Sequence, residues 1–281
     1  MIPDKLLITF DSLRWDVFQS ADVPFLQGLG DWRRAYAQAT YTFPAHMSYF
    51  MGKLPQTLDD TDDYDSVVIR FRPGERQRLR NRDFWRLDNP EAPRPAHLSV
   101  SGQTLVHGLR AAGHRAIGTG AVSWFNPKVE AGAYLTAPFD EFRFFEGPKF
   151  ASHHSSRQQV EWLGERVAAA KAERPDQPLF VFVNFGETHS KFVYEGCDWI
   201  DEPDPYGDAE LCLTRQRRCL EHLDGRVREI VGMLGDCEMV LFADHGEALG
   251  EDGLWGHGFY HPKVMEVPML IRKASAGGRP S

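Results

Sequence analysis

A segment late in the chain carries the residue types that bind transition metals. Asp244 and His245 come directly after the apolar run at residues 238–243. His257 and His261 follow beyond a glycine-rich stretch. A buried carboxylate beside a buried imidazole is costly without a partner, and a divalent cation satisfies both groups. These residues therefore predict a metal site.

Asp11 and Thr42 stand at two further points where an apolar strand ends or a helix begins. Each has a structural interpretation, because Asp and Thr are common N-terminal caps of helices. A hydroxyl at a helix start is also well placed to attack an anion, because the terminal amides and the helix dipole stabilise negative charge there. The residue types alone leave both interpretations open.

Glu187 and His189 follow another apolar run, at residues 178–185. A lone histidine after a strand more often makes structural hydrogen bonds than it binds a ligand. Four other polar residues are candidates for orienting metal ligands, although a surface or capping position is favoured for each of them. They are Asp16, His46, Glu247 and Glu251.

The elements that must position these side chains alternate along the chain. Short apolar runs predict parallel strands buried on both faces, over residues 5–10, 115–119, 178–185, 238–243 and 267–271. Apolar positions three and four residues apart predict helices over residues 24–37, 103–112, 156–173 and 209–234. Together they predict an α/β fold with a doubly wound, mostly parallel sheet and helices on both faces. Ligands bind such sheets at the carboxyl ends of the strands, where the polar residues above fall.

One catalytic domain is expected over residues 1–281, with a charged insertion at about 56–97. Five aspartates lie between residues 59 and 65, and seven arginines lie between residues 70 and 86. Charge runs are usually solvated loops. The alternative, functional interpretation is a lid whose arginines contact an anionic substrate, since guanidinium groups form paired hydrogen bonds with phosphate and sulfate oxygens.

Composition excludes several classes of function. The 40 acidic and 32 basic residues give a net charge of −8, which argues against a nucleic-acid binder and against nonspecific membrane adhesion. The four cysteines lack metal-site spacing, so free thiols are expected. The first apolar run is too short for a signal-peptide core, and no stretch approaches the roughly 20 residues that cross a bilayer. We therefore predict a cytoplasmic protein.

Five segments, in the expected order, resemble the sulfatase-like and alkaline phosphatase-like hydrolase superfamily. They are LLITFDSLRWD, VPFLQGLGDWRRAYAQATYTFPAHMSYFMGKLP, QTLVHGLRAAGHRAIGTG, FVFVNFGETHSKF and LFADHGEALGEDGLWGHGFYHPKVMEVPMLI. The last segment is the most specific. The resemblance implies that Asp11, Asp244 and His245 bind metal and that Thr42 is the nucleophile at the same metal.

The resemblance also implies one or two divalent metals per chain, with Zn, Mn and Mg as candidates. His189 falls where a histidine often contacts the transferred anion or a second metal. His257 falls where sulfatases often have lysine and related phosphodiesterases have histidine, so both histidines are candidate catalytic residues. The candidate second metal site comprises Glu187, His189, His257 and His261.

Departures from the sulfatase pattern narrow the function. Sulfatases carry a cysteine or serine in a C-x-P-S-R motif that is oxidised to formylglycine, which Thr42 cannot become. The lysine and histidine expected after residues 116–120 are absent, since residues 121–125 read AVSWF. Ser12 replaces a second aspartate, which weakens a calcium site. TFPAHMSYFMG instead resembles the threonine-nucleophile motif of nucleotide pyrophosphatase/phosphodiesterase relatives and of phosphonoacetate hydrolases.

The sequence thus predicts a metal-dependent hydrolase of a phosphate monoester, phosphate diester or phosphonate. It would form a covalent phosphothreonine on Thr42 and act on a small anionic substrate. A sulfatase-like hydrolase of sulfuric esters and a phosphoryl transferase or mutase stay open, as does a noncatalytic metal-binding module. Neither a nucleic acid nor a membrane is expected as a partner, and a homo-oligomer stays open.

Overall fold

The computed structural model describes residues 2–52, 103–146 and 153–275. The insertion predicted at about 56–97 lies outside these ranges. The strands of the main sheet are β1 (Lys5–Phe10), β2 (Arg33–Tyr36), β3 (Arg115–Gly120), β4 (Glu141–Phe144), β5 (Leu179–Phe185), β6 (Glu238–Ala243) and β9 (Glu266–Arg272). A separate antiparallel pair is formed by β7 (Ala248–Leu249) and β8 (Trp255–Gly256).

The strand order of the main sheet is β2-β9-β6-β1-β5-β3-β4. Strands β6, β1, β5, β3 and β4 run parallel, which confirms the predicted mostly parallel α/β fold. The last strand differs from the prediction, because β9 pairs antiparallel with β6 and with the edge strand β2. The sheet is therefore mixed at one edge.

The described helices lie on both faces of the sheet. They are α1 (Trp15–Ser20), α2 (Pro24–Gly28), α3 (Thr42–Met51), α4 (Leu105–Ala111), α5 (Glu130–Thr136), α6 (Ser155–Glu173), α7 (Ala209–Leu234) and α8 (Pro262–Met265), with 3-10 turns at Ser123–Phe125 and Glu251–Gly253. Within the described ranges, no helix is both long enough and apolar enough to cross a bilayer.

Alternation along β1 divides the hydrophobic core into two layers. Leu6, Ile8 and Phe10 pack in the layer formed with α6 and α7, whereas Leu7 packs in the layer formed with α3 and α4. Successive side chains of a strand point to opposite faces, so a strand buried on both faces is apolar at nearly every position. This two-layer core fixes β1 and the residues that follow it.

The predicted helix at residues 24–37 is wrong beyond its first turns. Helix α2 ends at Gly28, and β2 begins at Arg33. Gly30 between them has a φ of 149°, which L side chains rarely adopt, and an added Cβ would lie 3.3 Å from the Leu270 side chain. The chain therefore turns at Gly30 and pairs with β9, because tertiary pairing overrides the local helical pattern.

Candidate active site

Two buried carboxylates and an imidazole meet at the carboxyl end of the central strands. In the parallel register Phe10 of β1 lies level with Ala243 of β6, so Asp11 and Asp244 follow at the same edge. Nε2 of His245 is 3.4 Å from Oδ1 of Asp11 and 3.7 Å from Oδ2 of Asp244. All three residues are at most 1% exposed, which excludes bulk water from their charges. We call these residues, with Thr42, the first group.

Thr42, the first residue of α3, completes the first group. Its Oγ1 donates to Oδ2 of Asp11 at 3.4 Å and lies 3.3 Å from Nε2 of His245. Tyr41 before it is extended, and Pro44 lies within the first turn, where it has no helical hydrogen bond to lose. The fold therefore holds the Thr42 hydroxyl at a helix N-terminus, where the backbone amides favour an anion.

Hydrogen bonds fix which nitrogen of His245 faces the group. Nδ1 lies 2.8 Å from the carbonyl oxygen of Gly246. A carbonyl oxygen only accepts, so Nδ1 carries the proton and Nε2 has the lone pair. The lone pair thus belongs to the nitrogen that lies beside Asp11 and Thr42, as a metal ligand requires.

The first group fits a divalent cation. Burial, followed by the charge of Asp244, raises the pKa of Asp11 to about 8, and burial raises the pKa of Asp244 to about 7. Within the described residues, Oδ2 of Asp244 is buried without a hydrogen-bond partner. Two carboxylates, one imidazole and one hydroxyl form a mixed oxygen and nitrogen donor set suited to Zn or Mn.

A second group adjoins the first. His189, Glu247 and His257 each offer one ligand atom, and these atoms lie within 4.8 Å of one another. The rings of His257 and His245 have centroids 4.4 Å apart, and those of His257 and His189 are 5.2 Å apart. His189 Nδ1 lies 2.7 Å from the carbonyl oxygen of Ser190, so its proton is on Nδ1, as in His245. A second cation or a transferred anion can be held here.

The chain is similar to known proteins in sequence and, more broadly, in fold. No protein-family model matches the chain. Choline-sulfatase from Rhizobium meliloti (strain 1021) is 21% identical over 96% of this chain and 62% of its own length. The C-terminal periplasmic domain of phosphoethanolamine transferase EptC from Campylobacter jejuni matches with a TM-score of 0.62 and 13% identity, covering 97% of this chain and 80% of that chain.

A protein of the alkaline phosphatase superfamily from Vibrio parahaemolyticus matches with a TM-score of 0.57 and 14% identity, covering 99% of this chain and 62% of that one. The chain has the fold of the alkaline phosphatase superfamily. The superfamily resemblance seen in the sequence is thereby confirmed, and the threonine-nucleophile branch stays a prediction. This chain spans less than two thirds of choline-sulfatase. The cytoplasmic location also stays a prediction, and several of the similar structures are periplasmic domains.

Within this superfamily fold, two residues predicted for the second metal site lie outside the second group. Oε1 of Glu187 accepts from the Ser155 hydroxyl at 2.7 Å and from the Ser156 amide at 2.9 Å, so it anchors the start of α6. Nδ1 of His261 accepts from the Lys263 amide at 3.1 Å and caps α8. Within the described residues, neither side chain belongs to the grouped ligand atoms, and Oε2 of Glu187 is buried without a hydrogen-bond partner. Metal binding by Glu187 and His261 stays a prediction.

Glu247 is the carboxylate of the second group. The favoured surface interpretation of Glu247 is wrong, because its side chain is fully buried and Oε2 lies 2.9 Å from Nδ1 of His257. Burial opposes its ionisation, but His257, His189 and the Tyr206 hydroxyl outweigh burial and hold the pKa of Glu247 well below its usual range. Its position three residues after Asp244, inside the most specific motif, was the available signal.

The other three residues considered as orienting groups divide into two kinds. Asp16 and Glu251 both pair with the buried Arg14, at 2.7 Å each, away from the first group. His46 is buried against the first group, so the surface interpretation is wrong for it. Its Nδ1 lies 2.8 Å from the Thr42 carbonyl oxygen and its Nε2 lies 3.0 Å from Oγ1 of Thr9. His46 therefore braces the helical turn that carries Thr42.

The metal-free protein is expected to lose stability as the pH rises from about 4 to about 8. The pKa values of Asp11 and Asp244 are raised in the folded state, so that state binds more protons than the unfolded chain across this window, and stability falls with pH. Melting temperatures of chelator-treated protein across this range measure the effect. Added Zn²⁺ should remove most of the loss at pH 8, and a flat profile without metal would contradict the assignment.

Proposed function

We propose that the chain is a metal-dependent hydrolase of phosphate esters or phosphonates that uses Thr42 as its nucleophile. The observation that carries the proposal is the position of Thr42 Oγ1, which lies within 3.4 Å of both Asp11 and His245 at a helix N-terminus. A hydroxyl in this position is buried among candidate metal ligands. A capping role does not account for that, because the N-cap residue of α3 is Tyr41 and the Thr42 hydroxyl donates to the Asp11 carboxylate.

A divalent cation bound by Asp11, Asp244 and His245 would lower the pKa of the Thr42 hydroxyl and offset the charge of the substrate. For a phosphate monoester, Thr42 Oγ1 would form a bond to phosphorus while the bond from phosphorus to the leaving alcohol oxygen breaks, and the alcohol would leave with the proton lost from the Thr42 hydroxyl. The amides at the start of α3 stabilise the phosphoryl oxygens. Water next attacks phosphorus, which releases phosphate and restores the threonine hydroxyl.

His189 and His257 lie beside this reaction centre and have two candidate roles. If a second cation binds, their ring nitrogens would be the ligands that hold it. With one cation bound, one imidazolium donates the proton to the leaving oxygen and a neutral imidazole accepts the proton of the attacking water. Metal analysis of the purified protein separates the two roles, because the first requires about two ions per chain and the second requires about one.

Thr42 favours phosphorus over sulfur as the reacting centre. The sulfatases that this sequence resembles depend on formylglycine, an aldehyde formed by oxidation of cysteine or serine. Threonine cannot be oxidised to that aldehyde. A second candidate function is transfer of the phosphoryl-containing group from Thr42 to an alcohol, which the similarity in fold to a phosphoethanolamine transferase favours. The two functions share the first chemical step and differ in the acceptor. Sulfate ester hydrolysis is the third candidate, because the chain is similar in sequence to choline-sulfatase.

Turnover of three matched aryl esters tests the proposal. We expect the Zn- or Mn-loaded protein to release nitrophenol from an aryl phosphate monoester or phosphodiester at least about tenfold faster than from the aryl sulfate. Chelator-treated protein serves as the blank. An excess of glycerol distinguishes the transferase, since a phosphorylated glycerol would then accumulate in place of inorganic phosphate. Fastest turnover of the sulfate ester would contradict the proposal.

A further inference from the structure

Tyr206 reaches the second group from a loop just before α7. Its hydroxyl donates to Oε1 of Glu247 at 2.6 Å, while Oε2 of Glu247 lies 2.9 Å from Nδ1 of His257. A hydrogen bond to an ionised carboxylate is stronger than a neutral one, and 2.6 Å is the distance expected for O–H···O⁻. Both carboxylate oxygens of Glu247 therefore accept hydrogen bonds, and together these bonds connect Tyr206 to His257.

These two hydrogen bonds determine the orientation of the His257 ring. A carboxylate that accepts from Nδ1 holds the proton there and leaves the lone pair on Nε2, the arrangement that supports many metal-bound or acid–base histidines. A carboxylate bound at one oxygen alone can rotate about its terminal torsion, which is broad. The Tyr206 hydroxyl removes that freedom.

The same loop is also tied to the other histidine of the second group. The Tyr206 amide donates to Oδ1 of Asp204, and Oδ2 of Asp204 accepts from the Ser190 hydroxyl at 2.7 Å. Ser190 is the residue whose carbonyl oxygen holds His189. The Tyr206 ring packs against Trp255, with centroids 5.8 Å apart, in a small satellite core. The position of the hydroxyl is thus set by packing and by the loop together.

We propose that Tyr206 is a positioning residue that fixes His257 in its Nδ1-protonated orientation through Glu247. The inference rests on the proposed function for its catalytic consequence, but the orientation itself is a property of the metal-free protein. Tyr206 is not expected to contact the substrate.

Tyr206→Phe tests the inference, because it removes the hydroxyl and keeps the ring. The matched control is Tyr194→Phe, since Tyr194 packs against the same satellite core and stacks on His222 rather than on the second group. Nitrogen-15 NMR of the imidazoles in metal-free protein should show one His257 tautomer, protonated at Nδ1, in the wild type and the control. Tyr206→Phe should show a mixture of tautomers. An unchanged single tautomer in Tyr206→Phe would overturn the inference.

Steady-state kinetics provide a second, independent test of the role of Tyr206. With the Zn-loaded protein and an aryl phosphate ester, Tyr206→Phe should lower kcat about 10- to 100-fold, the range typical of groups that orient catalytic or ligating residues, and change KM less than about twofold. Adding Tyr206→Phe to Glu247→Gln should cost nothing further, because Tyr206 acts through Glu247. Full additivity of the two changes would overturn the inference. If the wild type hydrolysed no phosphate ester, the proposed function would fail while the NMR result still decided the role of Tyr206.

Discussion

Thr42→Ala is expected to lower kcat for an aryl phosphate ester by about 10⁴-fold or more, because removing a covalent nucleophile leaves only binding and electrostatic stabilisation. The metal content should stay close to that of the wild type. Asp11, Asp244 and His245 contribute charged or strongly donating ligands, whereas the Thr42 hydroxyl is a weak one. Steady-state kinetics and metal analysis on the same preparation measure both quantities.

Two variants control this prediction. Thr42→Ser keeps a hydroxyl at the start of α3 and should retain activity within about 100-fold of the wild type, since only a methyl group is lost. Thr40→Ala removes the same side chain two residues earlier, outside α3, and should leave kcat unchanged. Phosphorylated Thr42 should be detected by mass spectrometry after rapid acid quenching. Wild-type turnover by Thr42→Ala would remove Thr42 as the nucleophile.

Asp11→Asn should change activity and stability in opposite directions. The substitution removes a ligand charge from the first group, so we expect metal affinity to fall and turnover to drop by about 10³-fold or more. It also removes a buried carboxylate whose pKa is raised to about 8 by burial and by Asp244. The metal-free variant should therefore melt several degrees above the metal-free wild type at pH 8, and the two should melt alike near pH 4.

The matched control, Asp16→Asn, should have the opposite effect on stability. Burial raises the pKa of Asp16, but the ion pairs with Arg14 and Lys263 outweigh burial and hold this pKa well below its usual range. A lowered pKa contributes stability at neutral pH that is lost as the pH falls, so neutralising Asp16 should lower the melting temperature at pH 8. Metal-free Asp11→Asn that melts below the wild type at pH 8 would show that the Asp11 charge is compensated without a cation.

The sequence alone determined the central strands and the first group. Strands such as β1 and β6 are apolar at nearly every position, because both faces of a parallel sheet are buried, and a polar residue directly after such a run marks the strand end. Parallel strands that end level bring the residues that follow them together. Asp11 and Asp244 therefore came together at one sheet edge without any knowledge of side-chain contacts, and the motif resemblance added Thr42.

Only the tertiary structure decided the second group and the edge of the sheet. Glu187 and Glu247 each follow a buried strand by only a few residues, and the position of Glu247 inside the most specific motif was the sequence signal that set it apart. The two side chains are equally buried and differ in their contacts. Glu247, next to a Gly246 that packs closely on the Lys263 carbonyl oxygen, lies against His257, whereas Glu187 accepts hydrogen bonds from Ser155 and Ser156. Side-chain direction after a strand depends on contacts with residues distant in sequence, and such contacts exist only once the chain has folded.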